Sequence, residues 1–256
     1  MIQLVNLRKA FGPKVITNGL DLSIGDGELL AIIGRSGEGK SVLLKQIIGL
    51  IRPDSGNVII NDKDITKLHK REQEEIFKTC GYVFQFAALL DSLNVFENVG
   101  ITALEEGESP DVVLPLVEER LKSVGLDQDV LKKFPSELSG GMKKRVGLAR
   151  TLMLTPKILI YDEPTTGLDP ITVRLIHELI KSTHEKLKAT TIVISHDIEV
   201  FKFATHVAML HEGKIVYKGL TKDIWECDNP YIYQFIRGLS EGPIQTIETI
   251  KKNNKN

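Results

Sequence analysis

The eight residues Gly34-Arg35-Ser36-Gly37-Glu38-Gly39-Lys40-Ser41 have the spacing of a phosphate-binding loop. Glycines let the backbone wrap so that successive N–H groups face inward toward anionic oxygens, and a following helix adds its positive N-terminal end. Lys40 is placed to neutralise the β- and γ-phosphates of a nucleotide, and the Ser41 hydroxyl to ligate Mg2+. An accidental glycine turn would not need a buried strand before it and a helix after it, and the sequence offers both. A second pair of candidate groups closes the apolar run Ile158-Leu159-Ile160-Tyr161-Asp162-Glu163. Acids are common at strand ends, but beside a phosphate loop they become specific. Asp162 would hold Mg2+ through its water shell, and Glu163 would polarise an attacking water.

Those groups need a scaffold. Residues 3–7 and 20–24 alternate apolar and polar side chains, a strand pattern with Asp26-Gly27 as a turn. Leu29-Leu30-Ala31-Ile32-Ile33 is continuously apolar, as in a strand buried on both faces. A helix is expected from Lys40 to about Leu50, with Leu43, Leu44, Ile47 and Ile48 on its apolar face. Residues 86–154 read as mostly helical, with Ser109-Pro110 as a helix start, and look like an inserted lobe. Residues 157–161 and 191–194 are again buried-type strands, separated by a helical pattern over 171–187. Residues 207–210 and 214–217, joined through Glu212-Gly213, suggest a closing hairpin. Strands alternating with helices indicate an α/β fold with a parallel sheet.

At 256 residues the chain has room for one large α/β domain with a smaller lobe. Its formal net charge of −1 gives no basic field to attract nucleic acid or anionic lipid. Cys80 and Cys227 fit no metal or redox spacing and read as plain thiols in a reducing compartment. No stretch approaches the roughly 18–20 apolar residues needed to span a bilayer, and no signal peptide is evident at the N-terminus. The expectation is a cytosolic chain whose membrane role comes through a partner. Residues 251–256 are polar and lysine-rich, as in a disordered end.

Leu138-Ser139-Gly140-Gly141-Met142 resembles the signature motif of the ABC ATPase family, and the chain resembles that family over nearly its whole length. The motif is again an anion cradle, a hydroxyl and two glycine N–H groups opening a helix. The resemblance implies a P-loop NTPase fold of the ABC ATPase kind. It would have a mostly parallel core sheet, an antiparallel N-terminal β-subdomain and an inserted helical lobe. Residues 1–240 would be a single domain, with a RecA-like core at about 1–84 and 156–220, a lobe at about 85–155, and a C-terminal tail at 241–256. It further implies ATP and Mg2+ as ligands and active hydrolysis, with Glu163, His196, Lys40 and Gln85 in catalytic roles. In a head-to-tail homodimer each ATP would lie between one chain's Gly34, Arg35, Ser36, Gly37, Glu38, Gly39, Lys40, Ser41 and Val42 and the other's Ser139, Gly140 and Gly141. Gln85, in Tyr82-Val83-Phe84-Gln85, resembles the Q-loop glutamine that meets Mg2+ and water. Gly167-Leu168-Asp169 resembles the D-loop, and His196 in Ser195-His196-Asp197 the switch histidine on the γ-phosphate. Phe11 resembles the aromatic that stacks on adenine, although a lone Phe near an early strand also suits a core.

Val42, Met142 and the stretch Phe86-Ala87-Ala88-Leu89-Leu90-Asp91-Ser92-Leu93-Asn94-Val95-Phe96-Glu97-Asn98-Val99 resemble the Mla/Mkl-type ATPases. So do Gln234-Phe235-Ile236-Arg237-Gly238 and Gly242-Pro243-Ile244 near the end. Those ATPases power phospholipid movement between bacterial membranes. The resemblance implies an integral-membrane permease, an MCE-type lipid-binding protein and a small accessory subunit as partners, no nucleic acid, and the cytoplasmic face of the inner membrane. Phe86, Leu89 and Leu90 fit either an apolar seat for a permease helix or burial within the lobe. Lys143-Lys144-Arg145 reads by default as solvated helix surface, or as charge that helps to attract nucleotide. Rival readings are an importer motor for amino acids or another small solute, a soluble ABC ATPase acting on nucleic acid or ribosomes, and a regulatory nucleotide-binding module.

Overall fold

The computed structural model describes residues 1–245; the lysine-rich end at 251–256 lies outside them. In chain order the strands are β1 (Ile2–Phe11), β2 (Lys14–Ile24), β3 (Leu29–Ile33), β4 (Ser55–Ile60), β5 (Lys63–Asp64), β6 (Cys80–Val83), β7 (Ile158–Asp162), β8 (Thr190–Ile194), β9 (His206–His211) and β10 (Lys214–Leu220). The helices are α1 (Lys40–Ile47), α2 (Lys70–Phe77), α3 (Val95–Glu105), α4 (Pro110–Ser123), α5 (Gly140–Leu152), α6 (Pro170–Leu187) and α7 (Pro230–Arg237). They form two compact units, one from residues 1–66 with residues 195–245, the other from Lys67–Ile194.

In the first unit an antiparallel sheet runs in the order β2-β1-β4-β5. Ile2 faces Ile24 on one neighbour and Ile60 on the other, so one buried face collects the apolar alternation of three strands. The alternation breaks between Leu4 and Leu7, both buried. The register shifts there and Asn6 adopts φ 49, a bulge whose extra residue returns Leu7 to the core. β3 is buried along its whole length and lies parallel to β9, which closes the antiparallel hairpin with β10. These strands match the sequence reading, as does the turn at Glu212-Gly213.

In the second unit β6, β7 and β8 are parallel, with Val83 opposite Tyr161 and Asp162 opposite Ile194. Helices α3, α4 and α5 pack on one another. A Cβ on Gly100 would lie 2.7 Å from Val113 Cγ1, so only glycine lets α3 and α4 approach this closely. Ser109 and Pro110 do open α4, at N-cap and first helical turn. At the start of α3, Glu97 N–H donates to Asn94 Oδ1 (3.0 Å) and Asn94 N–H to Glu97 Oε2 (2.8 Å), a reciprocal cap. The sequence reading passed over β4, β5, α2 and β6. Val58-Ile59-Ile60 followed by Asn61-Asp62 was the hairpin signal available for the first two, since both turn residues take positive φ (48 and 64).

Candidate functional site

In the first unit β3 stops at Ile33 and α1 starts at Lys40, leaving residues 34–39 as the loop. Gly34 has φ 152, and a Cβ there would lie 2.5 Å from the Leu210 carbonyl oxygen. Gly39 has φ 94, and its Cβ would fall 2.4 Å from Ile16 Cγ2. Neither position admits a side chain, so glycine is what lets the loop backbone pack this closely on β9 and β2. Gly39 is also the N-cap of α1; it offers no capping side chain, and the first turn carries no acid. A helix start with no capping side chain and no acid in its first turn suits an external anion. Such a cradle fits a nucleotide phosphate. Lys40, 4% exposed, donates from Nζ to the carbonyls of Gly34 (2.8 Å) and Arg35 (2.9 Å), which holds its ammonium within the loop.

Two side chains of the loop reach away from it. Arg35 donates to the Gln245 carbonyl at 2.6 Å. Glu38 accepts from Glu212 N–H at 2.8 Å and lies 3.1 Å from His211 Nδ1. A carboxylate facing bound phosphate would repel it; here its charge is engaged by the β9–β10 hairpin instead. Ser41 and Val42 follow in the first turn of α1, half-buried. Phe11, at the end of β1, is 49% exposed, with Lys9 Nζ 5.2 Å from its ring centroid. It is not a core residue. His196 is exposed in a turn whose Asp197 N–H donates to Ser195 Oγ at 2.9 Å.

In the second unit the two acids separate sharply in environment. Asp162, the last residue of β7, is buried, and the Tyr82 hydroxyl donates to its Oδ2 at 2.8 Å. Burial, then the charge and hydrogen bond of Asp162, raise the Tyr82 pKa far above its ordinary value, so the phenol stays a donor. Glu163 follows at φ 46, a strained value for a residue with a side chain. Its N–H donates to the Ile194 carbonyl (3.1 Å), and the Thr166 hydroxyl donates to its Oε2 (3.0 Å). Neither Tyr82 nor Thr166 stood out as an acid's partner in the sequence.

The signature residues open α5. Ser139 is its N-cap and accepts from Met142 N–H at 3.2 Å. A Cβ on Gly141 would lie 2.6 Å from Thr172 Cγ2, and one on Gly140 3.7 Å from Leu168 Cδ2. The signature and the Gly167-Leu168-Asp169 segment thus pack together within this unit. Asp169 caps α6, accepting from Ile171 and Thr172 N–H (both 3.0 Å) and from the Thr172 hydroxyl (2.6 Å). The Thr172 hydroxyl first, then backbone N–H groups, hold the Asp169 carboxyl below the usual carboxylate range.

Reading the run Lys143-Lys144-Arg145 as solvated surface needs correction at Lys144 and Arg145. Lys144 donates to the carbonyls of Pro164 (2.7 Å) and Thr166 (2.8 Å), and Arg145 to that of Gly125 (2.6 Å). Both cations instead supply carbonyls in irregular segments that have no ladder of their own. Gln85, two residues beyond β6, is half-buried at the head of a segment that is irregular up to Asn94. Ala87 and Ala88 both take positive φ there, and Arg150 donates to their carbonyls (3.0 and 2.8 Å). Phe86 is 84% exposed and Leu90 46%, while Leu89 is half-buried, so this apolar cluster is not consumed by the lobe. Among the described residues no cluster of three or more His, Cys, Asp or Glu could hold a metal unaided.

A family model described as ABC transporter matches residues 17–166. The chain is 36% identical to the intermembrane phospholipid transport system ATP-binding protein MlaF of Haemophilus influenzae, over 96% of this chain and 93% of that protein. It is 38% identical to the probable ribonucleotide transport ATP-binding protein mkl of Mycobacterium tuberculosis, over 95% of this chain and 68% of that protein. Among solved structures, the dimeric post-hydrolysis state of an ATP-binding cassette bound to ADP and Pi superposes with a TM-score of 0.79. The two are 31% identical, over 86% of this chain and 99% of the cassette.

Proposed function

The chain belongs to the ABC transporter family as an ATP-binding and ATP-hydrolysing subunit, and from that premise we propose that it drives a membrane permease moving phospholipid between bacterial membranes. The observation that carries the cargo is the likeness to MlaF, which runs nearly end to end in both proteins. The mycobacterial relative, whose name gives ribonucleotide as cargo, is matched over a smaller share of its length. Among the described residues no helix is long and apolar enough to cross a membrane, so coupling runs through a partner. The exposed Phe86 and Leu90, held out by the Arg150-bound backbone, suit a short apolar helix of that permease. An MCE-type lipid-binding protein and a small accessory subunit complete the expected assembly, with the chain peripheral on the cytoplasmic face of the inner membrane.

Each residue takes a role in hydrolysis. The backbone of 34–42 cradles the triphosphate, Lys40 neutralises its terminal oxygens, and Phe11 offers a ring to adenine. Ser41, Asp162 and Gln85 are oxygen donors suited to Mg2+, which supplies charge neutralisation at the β- and γ-phosphates. Tyr82 donates to Asp162 Oδ2 and so helps to fix the orientation of that carboxylate. Glu163, oriented by Thr166, draws the proton from water, and His196 donates to the γ-phosphate. Ser139, Gly140 and Gly141 meet the nucleotide of a second copy, with Asp169 beside them.

The test is purification of the tagged chain from its own membranes in mild detergent, with mass spectrometry of proteins and lipids. Recovery of a polytopic permease with an MCE-type protein and enriched phospholipid is the expected result. A permease with a solute-binding protein would overturn the cargo and leave the ATPase standing. Ribosomes or nucleic acid without membrane protein would overturn the transport role.

A further inference from the structure

We infer that Lys144 is a positioning residue for Glu163, tying the signature helix to the carboxylate that activates water in the same chain. The inference rests on the proposed role of Glu163. Its basis is one stripe along α5: Gly141, Lys144 and Leu148 stand at helical spacings of three and four, on a single face. That stripe lies on the segment joining β7 to α6. Gly141 abuts Thr172, Gly140 approaches Leu168, and Lys144 reaches the Pro164 and Thr166 carbonyls on the Glu163 side of both contacts.

The segment needs outside support. Glu163 sits at φ 46, and the turn bonds after it are long: Thr166 N–H to Glu163 O at 3.3 Å and Leu168 N–H to Thr165 O at 3.2 Å. The two bonds from Lys144 are shorter, 2.7 and 2.8 Å, and charge-assisted. They fix the backbone of the residue after Glu163 and of Thr166, whose hydroxyl holds Glu163 Oε2. Lys144 lines a small, mostly apolar cavity together with Val83, Phe84, Leu148, Tyr161, Pro164 and Ile176. Burial lowers the Lys144 pKa while the Glu163 charge pulls it back up, so the ammonium is partly desolvated within reach of that carboxylate's field.

Movement of α5 is therefore passed to the Glu163 backbone through a two-pronged link of fixed length. In a dimer whose signature motif meets the partner's nucleotide, Lys144 makes water activation at one ATP answer to occupancy of the other.

The experiment compares full-length wild type, Lys144→Met, Lys144→Arg and Glu163→Gln for steady-state ATP hydrolysis, ATP binding and thermal unfolding. Methionine keeps the apolar stem and removes the donors; arginine restores two donors. A carboxylate displaced by about an ångström costs on the order of 100-fold, so Lys144→Met should lose roughly 10- to 100-fold in kcat. KM and ATP affinity should stay near wild type, the unfolding midpoint should fall by no more than the loss of two part-buried hydrogen bonds explains, and Lys144→Arg should recover most of the rate. A Lys144→Met rate equal to wild type overturns the inference, as does a loss that appears in ATP affinity or unfolding instead of kcat. If Glu163→Gln itself turns over normally, the role of Glu163 is what has failed, and that outcome is separate.

Discussion

The Tyr82 hydroxyl and the Asp162 carboxylate stand 80 positions apart in the chain and 2.8 Å apart in space. A buried carboxylate that is to share a divalent ion must have its remaining oxygen satisfied, or its orientation wanders. Tyr82→Phe removes only the donor and keeps the ring, which packs against Phe84 with centroids 4.4 Å apart. Loss of such a partner behind a metal ligand costs about 10- to 100-fold in metal affinity. The Mg2+ concentration for half-maximal ATP hydrolysis should rise by about that factor while kcat at saturating Mg2+ stays close to wild type. A Mg2+ titration of both proteins reads this directly, and coincident curves would reduce Tyr82 to a packing residue. Asp162, Glu163, Lys40 and Ser139 were legible in the sequence because each lies in a contiguous motif. Tyr82, Thr166 and Lys144 were not, because their significance lies in partners that only the folded chain supplies. A lysine in a basic run looks the same whether it meets water or two carbonyls.

At the scale of elements, the stretch 84–94 keeps its shape without belonging to a helix or strand. Asn98, fully buried on α3, accepts from Leu90 N–H (2.8 Å) and donates to the carbonyls of Leu90 (3.0 Å), Leu93 (2.8 Å) and Asn94 (3.1 Å). Arg150 of α5 holds Ala87 and Ala88 from below, and a Cβ on Gly147 would lie 3.1 Å from the Ala87 carbonyl. Two helices thus present the Phe86–Leu90 surface as a rigid ledge. Asn98→Ala takes the side-chain partner from two part-buried backbone groups, Leu90 N–H and the Leu93 carbonyl, each costing about 1–3 kcal/mol. The Leu90 and Asn94 carbonyls keep the Leu93 and Asn98 N–H groups. Unfolding in urea should show a loss of about 3 kcal/mol, and the Leu90 amide should exchange with solvent markedly faster than in wild type. An unchanged midpoint would mean that water replaces the amide at no cost. Regular elements with a strong period, such as β3 and α6, were plain in the sequence. The ledge was not, since it is built from tertiary hydrogen bonds to residues with positive φ, and β4–β5 was missed because its strands are short and interrupted by turn-forming residues.

At the scale of the whole molecule, one chain carries two helix-terminal anion cradles. The first is the glycine loop before α1, the second Ser139-Gly140-Gly141 before α5, and they belong to different compact units. Only the first is followed by a lysine positioned within it, so the second needs a nucleotide whose other charges are met elsewhere. On the proposed function a second copy would supply that nucleotide, and the cassette with which this chain superposes is itself a dimer bound to ADP and Pi. Binding that requires two copies must make association depend on ATP. With Glu163→Gln, ATP should persist, and light scattering should show the 28.5 kDa chain passing to twice that mass as ATP and Mg2+ are added. Wild type should dimerise only transiently and return to 28.5 kDa as ATP is consumed. Ser139→Arg, which crowds the second cradle while leaving the phosphate loop untouched, should still bind ATP yet stay monomeric. Should Glu163→Gln with saturating ATP and Mg2+ remain at 28.5 kDa, the two cradles do not share a nucleotide, and the signature would need another ligand.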